Sequence, residues 1–178
     1  MIRLVGPGGA GKTTIGLALA TRMGRPFIDL DRQFTALAGD ISVYINEHGY
    51  SAYVSRNIQV YLGTLGSLDP RSVFALSSGF MAYGNDSHLN YQCVYREIVS
   101  SPSTVALLPS FDYETCVAEI VRRQLTRPSS RSAEREEQVI RTRFEAYRRL
   151  PVKKVETMNP VDAVVENLLL HLMPIWNE

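Results

Sequence analysis

Strand-like runs recur at residues 2–5, 26–30, 72–76, 104–108 and 153–156, short stretches dominated by β-branched and large apolar side chains. The segments between them carry apolar positions at helical spacing. They predict helices over 12–23, 31–38, 42–48, 50–65, 89–100, 113–126, 133–149 and 160–173. Strands alternating with helices predict a parallel sheet covered on both faces, a three-layer α/β fold with five strands. The longest apolar stretch, 161–173, is interrupted by Asp162, Glu166, Asn167 and His171 at helical intervals, so it reads as an amphipathic C-terminal helix and not as a membrane span. No internal repeat is visible.

Composition narrows the picture. With 178 residues, 45% hydrophobic and 21% charged, the chain suits a single domain over 1–178. A net charge of +1 gives no global field toward nucleic acid or an anionic membrane, so any anion site is expected to be local and no such partner is predicted. Cys93 and Cys116 are the two thiols, and no charged and apolar leader precedes the first strand. The expected compartment is the cytoplasm, with both cysteines reduced.

Between the first strand and the first helix, residues 6–13 read Gly-Pro-Gly-Gly-Ala-Gly-Lys-Thr, a phosphate-binding loop of the form G-x-x-x-x-G-K-[ST]. Gly6, Gly8, Gly9 and Gly11, with Ala10 and Thr14 beside them, let backbone N–H groups turn toward phosphate oxygens. Lys12 brings a cation to the β- and γ-phosphates, Thr13 offers a hydroxyl to Mg²⁺, and the helix directs its positive end at the anion. The ligand this loop predicts is a nucleoside triphosphate, here ATP with Mg²⁺.

Two further features bear on chemistry. The second strand ends in Phe-Ile-Asp-Leu-Asp, and alternation along a strand would turn Asp29 and Asp31 toward one cleft at the carboxyl end of the sheet. One carboxylate would hold a water of the Mg²⁺ shell while the other takes a proton from an attacking hydroxyl. The competing reading makes Asp31 the cap of the next helix. Residues 127–149 hold seven arginines and four glutamates, which suits either a solvated, salt-bridged helix or a mobile lid that clamps a transferring phosphate.

Taken together, the loop, the Asp-x-Asp strand end, Arg127-Pro128, Arg143 followed by Tyr147, and Asn159-Pro160 before the last helix resemble a shikimate kinase, a small P-loop kinase of the nucleoside monophosphate kinase fold. The resemblance runs nearly the whole chain in order. It implies that Asp31 holds the acceptor hydroxyl, Asp29 lies near Mg²⁺, Arg127 meets the ATP phosphates, Arg143 grips the acceptor carboxylate, and Arg123 stacks near adenine, with Asn159 and Pro160 lining that pocket. The acceptor region would span 31–65 and the lid 127–143. It further implies a monomer acting in aromatic amino acid biosynthesis.

The family's Phe-Arg-x-x-Glu aligns here with Tyr53-Val54-Ser55-Arg56-Asn57, so an arginine is replaced by Val54. Arg56, roughly 200° further round the helix, is no substitute. Of three family glycines after the third strand, only Gly79 persists, behind Ser77 and Ser78. Loss of a charge-assisted contact to a carboxylate is worth about 1.5–3 kcal/mol. Tyr53 and Gly79 remain acceptor-side candidates beside Asp31 and Arg143, and His48, Tyr50, Tyr83 and His88 occur in the segments expected to surround an acceptor. The histidines and cysteines have no zinc spacing.

The expected activity is transfer of the ATP γ-phosphoryl group to a hydroxyl of shikimate or a related hydroxylated carboxylate, with Lys12, Asp31 and Arg127 as the catalytic groups. Two alternatives are a kinase of the same kind with another acceptor, nucleotides included, and a non-catalytic descendant that binds nucleotide and metabolite.

Overall fold

A computed structural model describes residues 1–126 and 132–176. Five strands, β1 (Ile2–Val5), β2 (Phe27–Asp29), β3 (Val73–Ala75), β4 (Thr104–Leu108) and β5 (Lys153–Glu156), form one parallel sheet in the order β2-β3-β1-β4-β5. Leu4 of the central strand pairs with Ala75 on one side and Val105 on the other. Among the described residues eight helices complete the fold. They are α1 (Lys12–Met23), α2 (Leu30–Ala38), α3 (Ile41–His48), α4 (Tyr50–Leu65), α5 (Tyr91–Ser100), α6 (Tyr113–Leu125), α7 (Ala133–Arg148) and α8 (Val161–Trp176).

The strand period of two divides the core. Ile2, Leu4, Val73, Val105 and Leu107 face α1 and α8 through Ile15, Leu19, Val164 and Leu168. Val5, Phe74, Ala106 and Leu108 face the other layer, built on Ile58, Tyr61, Ile98, Val117 and Phe144. Burial on both faces is what a parallel sheet requires, and it explains why these strands read as apolar runs. Arg3 is the exception within β1. Only 6% exposed, it donates to the Tyr61 hydroxyl at 3.1 Å and pairs with the Glu97 carboxylate, so its charge is met at the edge of the core.

The fold agrees with the expected class, and β1, β4, β5, α1 and α4 have the expected bounds. Differences fall at ends. The strands expected over 26–30 and 72–76 are trimmed to three residues each, α2 starts at Leu30, and α5 starts at Tyr91 because Leu89 is fully exposed and His88 and Asn90 form a turn. A 3-10 turn over Phe80–Ala82 was not anticipated.

Candidate active site

The phosphate-binding loop leaves β1 and enters α1 at the carboxyl end of the sheet. Gly9 and Gly11 have φ of +76° and +92°, values that side chains with a Cβ rarely adopt. Gly11 caps α1 without a side-chain acceptor, and no acidic residue lies in the first turn. That helix start therefore presents N–H groups and a positive dipole with no competing carboxylate. Lys12 Nζ donates to the Gly6 carbonyl at 2.7 Å and to that of Pro7 at 2.9 Å, which keeps the ammonium on the rim of the loop.

Asp29 corrects the expected strand geometry. Its Oδ1 accepts from the Asp31 and Arg32 N–H groups at 3.0 and 3.3 Å, so Asp29 caps α2, while Asp31 sits in the first turn of that helix and not on the strand. Asp29 thus ends β2 and caps α2, while Asp31 belongs to α2 itself. Asp29 Oδ2 also accepts from the Thr13 hydroxyl at 2.8 Å, which joins the two residues expected near Mg²⁺. Among the described residues no group of three or more histidine, cysteine or acidic side chains forms a metal cage. A hydroxyl and one carboxylate suit Mg²⁺, which is commonly held by one or two protein oxygens together with substrate phosphates and water.

On the acceptor side, α4 presents Tyr53, Val54 and Asn57, all buried. Burial, then the nearby charge of Asp31, raises the Tyr53 phenol to about 12, so it stays neutral. Asn57 Nδ2 donates to the Tyr83 hydroxyl at 2.8 Å, and Ser77 Oγ donates to Asn57 Oδ1 at 3.4 Å. Val54 is 4% exposed and belongs to the core, while Arg56 donates to Gln59 at 3.2 Å. Neither supplies a cation to the acceptor side.

Arg143 supplies one. Its Nη2 donates to the Tyr50 hydroxyl at 3.1 Å, and the guanidinium packs on Gly79, where a Cβ would lie 3.1 Å from Nη2 and 3.2 Å from Cζ. The Tyr83 ring closes against the same glycine. Tyr147 donates to the Ser78 carbonyl at 2.8 Å, which fixes α7 over the end of β3. Gly8 of the phosphate loop, Ser78, Gln124, Glu136 and Arg143 come together around one small cavity. His48 instead packs at a tilt against Tyr44, and His88 Nδ1 accepts from the Asn90 N–H.

The remaining arginines of α7 follow the solvated reading. Arg141 pairs with Glu114 and Glu137, and Arg148 and Arg149 pair with Glu145. Arg127, the expected lid residue, and Pro128 lie outside the described residues.

Arg123 holds the nucleotide side together. It donates to the Gly9 carbonyl at 3.1 Å and to the Thr157 carbonyl at 2.8 Å, and its Nε meets Glu119 at 2.6 Å. Thr157 Oγ1 in turn donates to the Ala10 carbonyl at 2.8 Å. These bonds tie the phosphate loop to the segment that leads to the exposed Asn159 and Pro160. Bonds to Arg122, then to Arg123, hold the Glu119 carboxyl down at about 2. Stability from this pairing is present above the ordinary glutamate range near ~4.3 and is lost as the pH falls toward the folded value. Glu119→Gln should therefore flatten the loss of melting temperature between about pH 4.5 and 2.5 that the wild type shows.

Two residues around the cavity had no sequence signal of their own, Glu136, 4% exposed, and Gln124, whose amide lies against Gly8, while Asn57, a departure from the family pattern, bonds to Tyr83. Glu136 looks like one more surface acid in a charged helix. Only its position on the inner side of α7, seven residues before Arg143, marks it.

The family model for shikimate kinase matches residues 8–172, nearly the whole length of the fold just described. The chain belongs to the shikimate kinase family. Curated shikimate kinases from Histophilus somni and Paracidovorax citrulli are 33% and 30% identical to it over 105 and 106 residues, and each match covers 58% of this chain. The matched stretch also spans only 58% of the length of each of those relatives. A solved shikimate kinase from Acinetobacter baumannii, in complex with shikimate, superposes with a TM-score of 0.73 at 25% identity, over 98% of this chain and 94% of that one. Within the shikimate kinase family, then, this chain combines a complete phosphate loop with an α4 wall that carries no cation facing Arg143 among the described residues.

Proposed function

We propose that this protein transfers the γ-phosphoryl group of ATP to a hydroxyl of shikimate or a closely related hydroxylated carboxylate. The observation that carries this reading is the nearness of the phosphate loop to Arg143, since Gly8 and Arg143 line one small cavity. An anion held at the loop and a carboxylate held at Arg143 would be neighbours. The Acinetobacter baumannii relative, whose structure contains shikimate, supports the choice of first acceptor.

In the transfer, the acceptor oxygen forms a bond to Pγ as the bond from Pγ to the bridging β-oxygen breaks, and ADP leaves. Asp31 orients the hydroxyl and takes its proton. Lys12 and the α1 N-terminus neutralise charge that gathers on the transferred group and on the leaving phosphate. Thr13 and Asp29 would hold Mg²⁺, which when bound adds positive charge against the phosphates. Arg127, from the segment entering α7, would complete the clamp in a closed lid, and Arg123 would support the nucleotide pocket with Pro160 at its edge. We read the working unit as a cytoplasmic monomer. No helix among the described residues is long and apolar enough to cross a membrane.

The test is incubation with Mg²⁺, ATP and shikimate, with the product identified by mass. Phosphorylated shikimate is the expected result. ATP binding with no transfer to shikimate, gluconate or nucleoside monophosphates would overturn the reading and favour a nucleotide-binding protein without turnover. Intact Lys12, Thr13, Asp29 and Asp31 argue against that outcome.

A further inference from the structure

The acceptor side has to orient a carboxylate with little help from α4. Tyr53, Val54 and Asn57 are buried and uncharged, Arg56 is occupied by Gln59, and the hydroxyl and amide groups of Asn57, Ser77 and Tyr83 bond to one another. Arg143 is left as the cation across from that wall. A single arginine on a long side chain samples many rotamers, and a fork of donors recognises a carboxylate well only when its plane is fixed.

Two contacts fix it. The guanidinium packs close against Gly79, where a Cβ would fall 3.1–3.2 Å from Nη2 and Cζ. The Tyr50 hydroxyl accepts from Nη2 at 3.1 Å, and the Tyr50 ring lies 5.8 Å from that of Tyr53. Tyr50 is the first residue of α4, whereas Arg143 stands on α7, so this one bond joins α4 to α7. A guanidinium carries five N–H donors, and a bond to one of them leaves the others to face a ligand.

We propose that Tyr50 is a positioning residue for acceptor recognition. Its hydroxyl holds the Arg143 guanidinium flat on Gly79, so that one arginine orients the acceptor carboxylate against the neutral α4 wall. The proposal rests on the functional reading above for the identity of the anion, but not for the contact itself.

Tyr50→Phe keeps the ring and removes only the acceptor oxygen, and Tyr50 is 48% exposed, so the fold should be kept. The expected result is a KM for shikimate raised about 3- to 10-fold, the range of one ordinary net hydrogen bond, with the KM for ATP unchanged. The KM for the carboxamide of shikimate should not move between wild type and Y50F, because that analogue offers no carboxylate. Equal changes for the acid and the amide would mean a general structural effect and would overturn the proposal.

A second arm needs no turnover. With arginine labelled by ¹⁵N and the Arg143 signal assigned by its loss in Arg143→Lys, rotation about the Arg143 guanidinium should be slow in wild type and faster in Y50F. Identical rotation would overturn the proposal even if kinetics changed. If the wild type were inert toward shikimate, the functional reading would fall while this arm still decided the role of Tyr50.

Discussion

Lys12→Met is expected to lower phosphoryl transfer by about 10²–10³-fold at saturating ATP, the scale of losing one preorganised charge from a transition state. The loop backbone and the α1 N-terminus give dipoles and N–H groups, but among the loop residues only Lys12 carries a full positive charge. In the structure that charge rests on the Gly6 and Pro7 carbonyls, within the loop that would receive the phosphates. Methionine keeps the length of the chain and removes the charge, so a rate measured by product formation isolates the electrostatic part. Lys12 is half-buried at the loop rim and outside both core clusters, so the melting temperature should change little. A K12M rate within tenfold of wild type would show that the loop dipoles alone carry the charge, and the assigned role of Lys12 would be wrong.

Much of this site was legible before any coordinates, because its chemistry is local. The G-x-x-x-x-G-K-[ST] loop needs only neighbouring residues to form, and its strand and helix are where the motif demands. The sheet was legible for the same reason: strands buried on both faces read as apolar runs. What the sequence did not reveal depends on contacts across many residues. Asp29 and Asp31 looked equivalent by alternation, yet chain direction changes at Leu30 and makes one the helix cap and the other a first-turn side chain. Asn57 reads as an unremarkable substitution until Tyr83, twenty-six positions away, is seen to accept its amide. The division among the arginines of α7 is likewise tertiary, since Arg141 and Arg143 differ only in which side of the helix meets Glu114 or Tyr50.

That division also shows where selectivity has room to change. The phosphate loop is cross-tied by Arg123 and Thr157 to backbone carbonyls, contacts that are lost when the guanidinium or the hydroxyl is removed. The acceptor wall is a set of tyrosine, serine and asparagine side chains bonded to one another. Such a net tolerates exchange only if every member is again satisfied, because a buried polar group without a partner costs about 1–3 kcal/mol. A change of acceptor in this chain would therefore be expected to alter several of these residues together.

Asp31→Asn gives the other large effect expected, a fall in kcat of about 10²–10⁴-fold, the usual range for a positioned general base. The substitution is nearly isosteric, and α2 keeps its start because Asp29 provides the cap. The KM for ATP should stay within about twofold, since in the proposed function the loop, with Thr13 and Asp29, would hold the nucleotide, and binding can persist when an interaction used only in the transition state is removed. Asp29→Asn should behave differently. Asparagine keeps an oxygen for the α2 cap, where it serves about as well as aspartate, but its NH₂ cannot accept from the Thr13 hydroxyl, so its signature is a higher Mg²⁺ requirement with little change in melting temperature. The pair of variants separates a carboxylate that acts on the acceptor from one that builds the site. If D31N transferred phosphate at the wild-type rate while D29N did not, the two roles would have to be exchanged, and the capping carboxylate would be the one that serves the reacting hydroxyl.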